Sequence, residues 1–426
     1  MAAPRSWRAR FRTRSYLKDS LWVLPLACAL LGALLGMGTA RIDAIVTTPV
    51  GLQYDPGTAT TVLTTIAGAM VGLLGLVVTI GVVVVQQATT VLSPRFMRLW
   101  YRQRLQKVVL GTFTGTFTFA FTNLRRVDDG SVPDLGVTLA GILCLTSLVL
   151  LLVYLDRFTQ HLRPVAVAAL VLTAGRREAD TALPVTRPHL DATMKGDPVL
   201  VVRTPADGVL QGLDARGLLA LAGRAGCTVM LVPAVGTFVP AGSTIFEVYG
   251  PGVPRAVDLE RCVVLGLERT IEQDPAFALR VLVDIAARAL SSAFNDPTTA
   301  VQVMDYIESF LIAAGQQELP ARHVLADDAG VARVVIPGRP WEEYLDLGLA
   351  EILHYGATDL QVCRRLAALL DHLQTTVGPE RRPAVESHRA ELRAAVERSF
   401  PSPTDRARAG RSDRQGLGAT TEHADR

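Results

Sequence analysis

Four long apolar segments in the first 156 residues constrain the fold of this chain more than any other feature. A helix needs about 20 apolar residues to cross the roughly 30 Å of hydrocarbon in a bilayer. The segments run over 21–40, 60–85, 108–124 and 136–155. The sequence therefore predicts an α-helical membrane protein with four transmembrane helices, whose membrane domain covers residues 20–156.

The distribution of positive charge predicts the orientation of these helices. Six basic residues lie within the N-terminal segment 1–19, and five more lie between the second and third apolar segments. The other two loops carry only Arg41, Arg125 and Arg126. Because cytoplasmic loops carry the excess of arginine and lysine, we expect a basic cytoplasmic N-terminus and a cytoplasmic C-terminal domain.

A cleaved signal peptide is an alternative interpretation of the first apolar segment, because Gly38 and Ala40 are small residues at suitable positions. Its apolar region is longer than the roughly 7 to 15 residues usual in signal peptides. Three more apolar segments also follow it. Both features favour a membrane span.

Three of the apolar segments carry pairs of glycines four positions apart. Small residues at this spacing let helix backbones approach closely in lipid. We therefore predict helix-packing faces, either within one chain or between the chains of a homo-oligomer. The pairs are Gly32 with Gly36, Gly68 with Gly72, and Gly111 with Gly115.

The apolar segments contain no acidic or basic side chain. Proton-coupled pumps and ion carriers need ionisable groups at depth, so the sequence argues against these mechanisms. Thr114, Thr118 and Thr122 form a stripe at i, i+4 spacing. Such a stripe could line a pore in an oligomer, but hydroxyls bonded to their own helix or to a neighbour are the simpler explanation.

A basic segment at 93–107 joins the second and third apolar segments. Ser93 can cap a helix and Pro94 can start one, after which apolar residues alternate with arginines. This pattern is typical of an interfacial helix on anionic lipid headgroups, with a solvated loop as the alternative. The candidate headgroup-binding residues are Arg95, Arg98, Arg102 and Arg104.

The remainder of the chain has the composition of a water-soluble domain. Residues 157–426 hold 29 basic and 33 acidic residues, so nucleic acid is not an expected partner. The histidines and cysteines never fall at the spacings of metal sites or disulfide frameworks, and no metal or cofactor is predicted. The predicted α+β cytoplasmic domain comprises a juxtamembrane connector (157–197), a small β-rich module (198–254), a mainly helical domain (255–400) and a disordered tail (401–426).

The β-rich module is predicted from valine-rich runs separated by turn residues. Asp214 is expected to cap a short helix between two strands. The phrase GTFVPAGSTIFEV, at 236–248, resembles the turn of lipoyl and biotinyl carrier domains. Those carriers need a lysine to modify, and Lys195 is the last lysine of this chain. We therefore expect the β structure without the carrier function.

Two similar Asp-Pro steps precede successive helices, in EQDPAFAL and FNDPTTAV. An aspartate at the N-cap accepts backbone N–H groups, and a proline at the first helical position loses no hydrogen bond. We predict that Asp274 and Asp296 cap the two helices of an antiparallel hairpin, at roughly 276–292 and 298–314.

Three amphipathic helices are predicted further along the chain, at 340–356, at 359–376 and from Arg382 onward. A β-hairpin around Asp328 and Gly330 is expected before them.

Polar side chains gather at the second Asp-Pro step, where a helix N-terminus offers free N–H groups to an anion. A capped corner explains the same residues, since Asp296 caps and Pro297 starts the helix. We therefore define a candidate ligand or interaction corner. It comprises Asn295, Asp296, Thr298, Thr299, Asp274, Arg269 and Asp305.

These motifs resemble the bacterial membrane-protein family called domain of unknown function 2254. The similarity covers about residues 20–375 and is carried by SPRFMR (93–98), VVLGTFTGTF (108–117), VLQGLD, GTFVPAG and LERTIEQDPAFALRVLVDIAARALSSAFNDPTTAVQVMD (267–305). The resemblance implies four spans in a bacterial plasma membrane with a cytoplasmic domain, and it implies no biochemical activity. The family pattern has Ser-Pro-Gly before NDP, where this chain has Ser291, Ser292 and Ala293. We expect a less sharply bent entry here.

No nucleophile elbow, phosphate loop, HExxH or dinucleotide motif occurs in the chain. We therefore expect a non-enzymatic sensor, scaffold or oligomeric channel-like protein with a ligand-binding cytoplasmic domain. The alternative is a membrane-bound enzyme that acts on a lipid or small metabolite near the headgroups. In that case Asp274, Asp296 and Asp305 are the candidate acids.

Overall fold

The computed structural model describes residues 7–43, 53–91, 104–128, 131–161, 164–181, 194 and 196–418. The chain forms two compact units. The mixed unit consists of Met1–Arg14 and Pro164–Arg426, and the helical unit consists of Ser15–Arg163.

The helical unit places a helix at each of the four predicted apolar segments. A first helix, α1, precedes them and contains the chain boundary between the two units. The helices are α1 (Trp7–Asp19), α2 (Val23–Asp43), α3 (Pro56–Val91), α4 (Arg104–Leu124) and α5 (Asp134–His161).

Two of these helices are long and apolar enough to cross a membrane, over Pro56–Val83 and Asp134–Arg157, within the described part of the chain. The count rises to three if Trp7–Asp19 and Val23–Thr39, bent by 77°, are one broken span. The predicted count of four is therefore not supported. The segment at 108–124 falls short because its threonines lower its hydropathy and its helix begins with two basic residues within one turn.

The predicted headgroup contacts lie mostly outside the described residues. The structure does not describe Arg95, Arg98 or Arg102. Arg104 is the first residue of α4. The lipid contacts and the orientation of the termini stay predictions.

The glycine pairs of α2 and α4 pack against each other within one chain. A Cβ added to Gly32 would lie 2.3 Å from the carbonyl oxygen of Gly115, and one added to Gly115 would lie 3.1 Å from that of Cys28. No side chain larger than glycine fits these positions without moving a backbone. At Gly68 and Gly72 of α3, by contrast, no described atom lies within 4 Å of an added Cβ.

The threonine stripe of α4 is bonded to helix backbones. Thr114 Oγ1 donates to the carbonyl oxygen of Leu110 at 2.7 Å, and Thr122 Oγ1 donates to that of Thr118 at 2.7 Å. Thr118 Oγ1 also donates to the carbonyl oxygen of Ala29 in α2, at 2.9 Å. Bonding to the same helix and to a neighbour therefore accounts for the stripe.

Replacing Gly32 with alanine is expected to destabilise the helical unit by about 1–3 kcal/mol, because the new methyl group overpacks the α2–α4 contact. The matched control is Gly141→Ala, where the methyl group meets open space and the helix propensity improves. The midpoint of thermal unfolding in detergent measures both effects. Equal midpoints for the two variants would contradict the packing described here.

The mixed unit contains two small sheets flanked by helices. Its first helix and its strands are α6 (Pro164–Thr181), β1 (Leu200–Arg203), β2 (Gly208–Leu213), β3 (Thr228–Leu231), β4 (Phe238–Val239), β5 (Thr244–Tyr249), β6 (Val263–Gly266), β7 (Arg322–Ala326) and β8 (Ala332–Pro337). The five-stranded sheet has the order β1-β5-β3-β8-β7, and the three-stranded sheet has the order β4-β2-β6. All pairs are antiparallel except β3 with β8.

The predicted β-hairpin is confirmed as β7 and β8, and β8 pairs with β3 through Val229 opposite Val334. The five-stranded sheet therefore combines residues 200–249 with residues 322–337. A short helix, α7 (Ala215–Ala225), covers its core at the buried Leu218 and Ala222. Asp214 caps α7 as predicted, accepting a hydrogen bond from the N–H of Gly217 at 3.0 Å.

The helical part of the mixed unit follows the sequence prediction closely. The hairpin of two helices and the three amphipathic helices are all present. With the short α8 (Ala256–Glu260), they are α9 (Pro275–Ala289), α10 (Pro297–Gly315), α11 (Trp341–Gly356), α12 (Leu360–Thr376) and α13 (Arg382–Ser399). Helix α6 packs on the hairpin at Gly175, where an added Cβ would lie 2.6 Å from Ala278 Cβ.

The segment after Pro401 is folded up to residue 418, which corrects the prediction of a disordered tail over these residues. It contains a helix, α14 (Pro403–Ala409), whose Ala409 is fully buried. Arg364 of α12 donates to the carbonyl oxygen of Arg408 at 2.8 Å. Because polar contacts of this kind leave no apolar periodicity in the sequence, hydrophobic patterning did not predict that this segment is folded.

Candidate ligand-binding cleft

The two Asp-Pro steps share one backbone conformation. The residue before each aspartate is left-handed, with φ of 57° at Gln273 and 45° at Asn295, and these are the only non-glycine residues with positive φ in the described part of the chain. The aspartates that follow have similar angles, with ψ of 75° and 77°. The same turn therefore leads into α9 and into α10.

The Asp296 step is a capped surface turn. Asp296 Oδ1 accepts a hydrogen bond from the N–H of Thr299 at 3.0 Å, and Oδ2 accepts one from the Thr299 hydroxyl at 2.5 Å. The predicted cap is thus confirmed. Asn295 and Thr298 are exposed beside it. A ligand role for this corner stays a prediction.

The Asp274 step differs, and here the predicted cap is wrong. Asp274 occupies the N-cap position but makes no side-chain capping bond. Its carboxylate instead accepts two hydrogen bonds from Arg269, at 2.5 Å from Nε and 3.1 Å from Nη2. Asp274 is only 4% exposed, and a buried carboxylate needs an opposite charge more than it needs a neutral N–H donor.

The loop at Gly236 and the ring of Phe277 enclose the Asp274–Arg269 ion pair. A Cβ added to Gly236, which has φ of 90°, would lie 2.1 Å from Asp274 Oδ2. The guanidinium of Arg269 lies 5.2 Å from the centroid of the Phe277 ring. Glycine at position 236 is therefore required both by its backbone and by the space that the ion pair takes.

Gln273 connects the same step to β2. Its side-chain Oε1 accepts a hydrogen bond from the N–H of Leu213 at 2.8 Å, and its Nε2 donates to the carbonyl oxygen of Leu213 at 3.2 Å. Its own N–H donates to Glu178 of α6 at 3.2 Å. These bonds hold a glutamine in a backbone conformation that costs about 1 kcal/mol or more.

Asp305 belongs to a third place, between α10 and α12. It accepts hydrogen bonds from Nε and Nη2 of Arg365, at 3.1 and 2.9 Å. Arg365 is 2% exposed and also pairs with Glu308, which contacts His372. The candidate residues predicted as one corner therefore fall into three separate sets, which are the Asp296 turn, the pair of Asp274 with Arg269, and Asp305.

A cleft of about 900 Å³ opens beside the Asp274 step. The start of α9, the end of α10, the start of α11 and the ends of β3 and β8 line it. Its polar wall comprises Arg176, Gln273, Asp274, Gln316, Gln317, Glu318, His323, Arg339, Glu343 and Tyr344. Its apolar wall includes Leu213, Val232, Val235, Pro275, Phe310, Ile312, Leu319 and Ile336.

Burial keeps two titratable groups of this cleft neutral. Burial, with smaller effects of the nearby charges, raises the pKa of Tyr344 to about 12, so its hydroxyl remains protonated. Burial lowers the pKa of His323, so its imidazole is neutral at pH 7, and its Nδ1 has no hydrogen-bond partner. Arg339 pairs with Glu343 at 2.7 Å. The cleft thus offers neutral donors and acceptors beside the Arg339–Glu343 ion pair.

Most of these lining residues were not among the sequence candidates. His323 lies in β7, whereas Arg339 lies just before α11 and Tyr344 lies within it, and no spacing in the sequence brings these two segments together. The glutamine of QDP was visible in the motif, but its left-handed backbone was not. No group of three or more His, Cys, Asp or Glu side chains that could hold a metal ion occurs within the described ranges.

The fold defines a membrane protein in which apolar helices are joined to an α+β unit that contains a cleft. The chain belongs to the family described as predicted membrane protein, domain of unknown function 2254, which matches residues 18–372.

Similar proteins are found in mycobacteria. Uncharacterized proteins of Mycobacterium bovis and of Mycobacterium tuberculosis are each 31% identical to this chain over 419 residues. The matched region covers 92% of this chain and 79% of each relative. No solved structure matches the chain significantly.

Replacing Asp274 with alanine is expected to cost about 3 kcal/mol of stability, because it leaves Arg269 as an uncompensated charge at a largely buried site. Replacing Asp296 with alanine should cost about 1 kcal/mol through loss of the cap. Asp296→Asn is the matched control, since asparagine still caps. Urea unfolding of the detergent-solubilised protein measures the three free energies. A larger loss at Asp296 than at Asp274 would contradict this assignment.

Proposed function

We propose that this chain is a membrane-anchored sensor whose mixed unit binds a small molecule in the cleft beside Asp274. The observation that carries the proposal is the cleft itself, about 900 Å³ with apolar and polar walls. Ligand sites are typically concave, mostly apolar and provided with a few convergent polar groups. The strained Gln273 backbone supports the same location, since such conformations cluster at functional sites.

The polar groups of the cleft favour recognition of the ligand over its covalent conversion. The described lining contains no serine, threonine, cysteine or lysine. Both oxygens of Asp274 are engaged by Arg269, and Tyr344 holds its proton. These groups are suited to hydrogen-bonding a ligand. The charge pattern of the loops supports a cytoplasmic position of the cleft.

Filling the cleft is expected to abolish ligand binding. A panel of nucleotides, amino acids, carboxylic acids and sugar phosphates is screened against the full chain in detergent by thermal unfolding. A ligand at 100 times its Kd should stabilise the wild type by about 2.7 kcal/mol. Ala313→Trp, in the cleft wall, should remove this effect. Ala390→Trp, at an exposed position on α13, should retain it.

Two outcomes would count against the sensor. If stabilisation survives in Ala313→Trp, the ligand binds elsewhere. If the bound compound is chemically converted by the wild type, the alternative of a membrane-bound enzyme takes its place.

A homo-oligomer is proposed as the arrangement of the helical unit. The supporting observation is the contrast between its glycine pairs. Those of α2 and α4 face each other, while Gly68 and Gly72 have no described atom within 4 Å of an added Cβ. In lipid, an open pair of this kind can accept the same helix of a second copy.

Replacing both Gly68 and Gly72 with leucine is expected to convert the oligomer to monomer, because the side chains hold the backbones apart. The mass of the protein in detergent, measured by light scattering, reports this change. Gly141→Leu is the control, since Gly141 of α5 also faces open space but belongs to no glycine pair. A monomeric wild type would overturn the proposal.

A further inference from the structure

The N-terminal half of α1 packs on the end of β2. A Cβ added to Gly212 would lie 3.2 Å from Phe11 Cζ and 3.4 Å from Trp7 Cη2. The two aromatic rings also contact each other, with centroids 5.0 Å apart. Residues 7–14 therefore dock on the mixed unit by apolar contact.

The residues on either side of Gly212 are both bonded to the loop that forms the cleft wall. We call residues 268–274 the motif loop. Gln211 Nε2 donates to the carbonyl oxygen of Glu268 at 2.8 Å. Leu213 exchanges two hydrogen bonds with the Gln273 side chain, at 2.8 and 3.2 Å. Gly212 thus lies between two attachments of β2 to the motif loop.

We infer that the motif loop, the end of β2 and residues 7–14 form a relay that couples the occupancy of the cleft to the docking of α1. Gln273 and Asp274 line the cleft, and Leu213 lines it as well. A ligand that displaces the Gln273 side chain from Leu213 also moves Gly212, because Gly212 and Leu213 are consecutive residues of β2. The contact of Phe11 and Trp7 with Gly212 is then lost, and it forms again when the ligand leaves.

The backbone at Gln273 makes the relay a two-state element. Its left-handed conformation is unfavourable for glutamine, and the bonds to Leu213 offset that cost. Loss of those bonds therefore allows the loop to relax. The purpose of the relay, signalling of a bound ligand, rests on the proposed function. Its mechanical coupling does not, and is testable without a ligand.

The path of the chain determines which helix responds to a change in the docking of residues 7–14. Helix α1 ends at Asp19 and α2 begins at Val23. A change in the docking of residues 7–14 is therefore passed on through one short segment to the first apolar helix.

Hydrogen exchange of the full chain in lipid nanodiscs tests the coupling. Gln273→Ala removes both side-chain bonds to Leu213 and leaves a side chain at positive φ, so the loop is expected to relax. We expect amide exchange in residues 7–14 to become about tenfold faster, as for the loss of one to two net hydrogen bonds. Asn295→Ala is the matched control, since it makes the corresponding change at the other Asp-Pro step and should leave residues 7–14 unchanged.

The reciprocal variant is Phe11→Ala, which removes the aromatic contact on Gly212. Because coupling between two sites is reciprocal, exchange in residues 268–274 should also become faster. Unchanged exchange in α10 shows that the fold is intact in each variant. The relay is overturned if Gln273→Ala leaves residues 7–14 protected, or if Phe11→Ala leaves the motif loop protected. Failure of the ligand screen, by contrast, would overturn only the sensor.

Discussion

The turn at Gln273 and Asp274 is the constraint on which the mixed unit depends. These two residues contact β2 and α6 and lead into α9. Each contact either completes a backbone hydrogen bond or neutralises a buried charge. The glutamine amide replaces a strand partner for Leu213, while Arg269 neutralises Asp274. A buried group left without such a partner would cost several kcal/mol, so the parts of this turn hold one another in place.

The two Asp-Pro steps show how the environment decides the use of one motif. At Asp296 the carboxylate is exposed and caps its helix. At Asp274 it is buried and pairs with an arginine. The backbone is the same in both, since a left-handed residue precedes each aspartate. Asparagine adopts that conformation more readily than glutamine, which agrees with the additional hydrogen bonds found at Gln273.

Sequence patterns predicted the elements better than the site. The helical hairpin, the three amphipathic helices, the β-hairpin and the Asp214 cap all follow from periodicity and turn chemistry. The packing of α2 on α4 was visible as glycine pairs, although their partners were not. The span count of four overestimated the apolar character of α4, whose threonines bond to helix backbones. Residues 401–418 are held by polar contacts, which leave no periodic pattern of apolar residues in the sequence.

The sequence by itself determined that this chain combines apolar helices with an α+β unit, and that two helices begin at Asp-Pro. Those properties depend on neighbours along the chain. Only the tertiary structure decided that Asp274 forms an ion pair and that the glycine pair of α3 has no described atom packed against it. It also brought Gln273, His323 and Tyr344 to one cleft. These outcomes depend on burial and on distances between residues far apart in the chain, which local patterns do not encode.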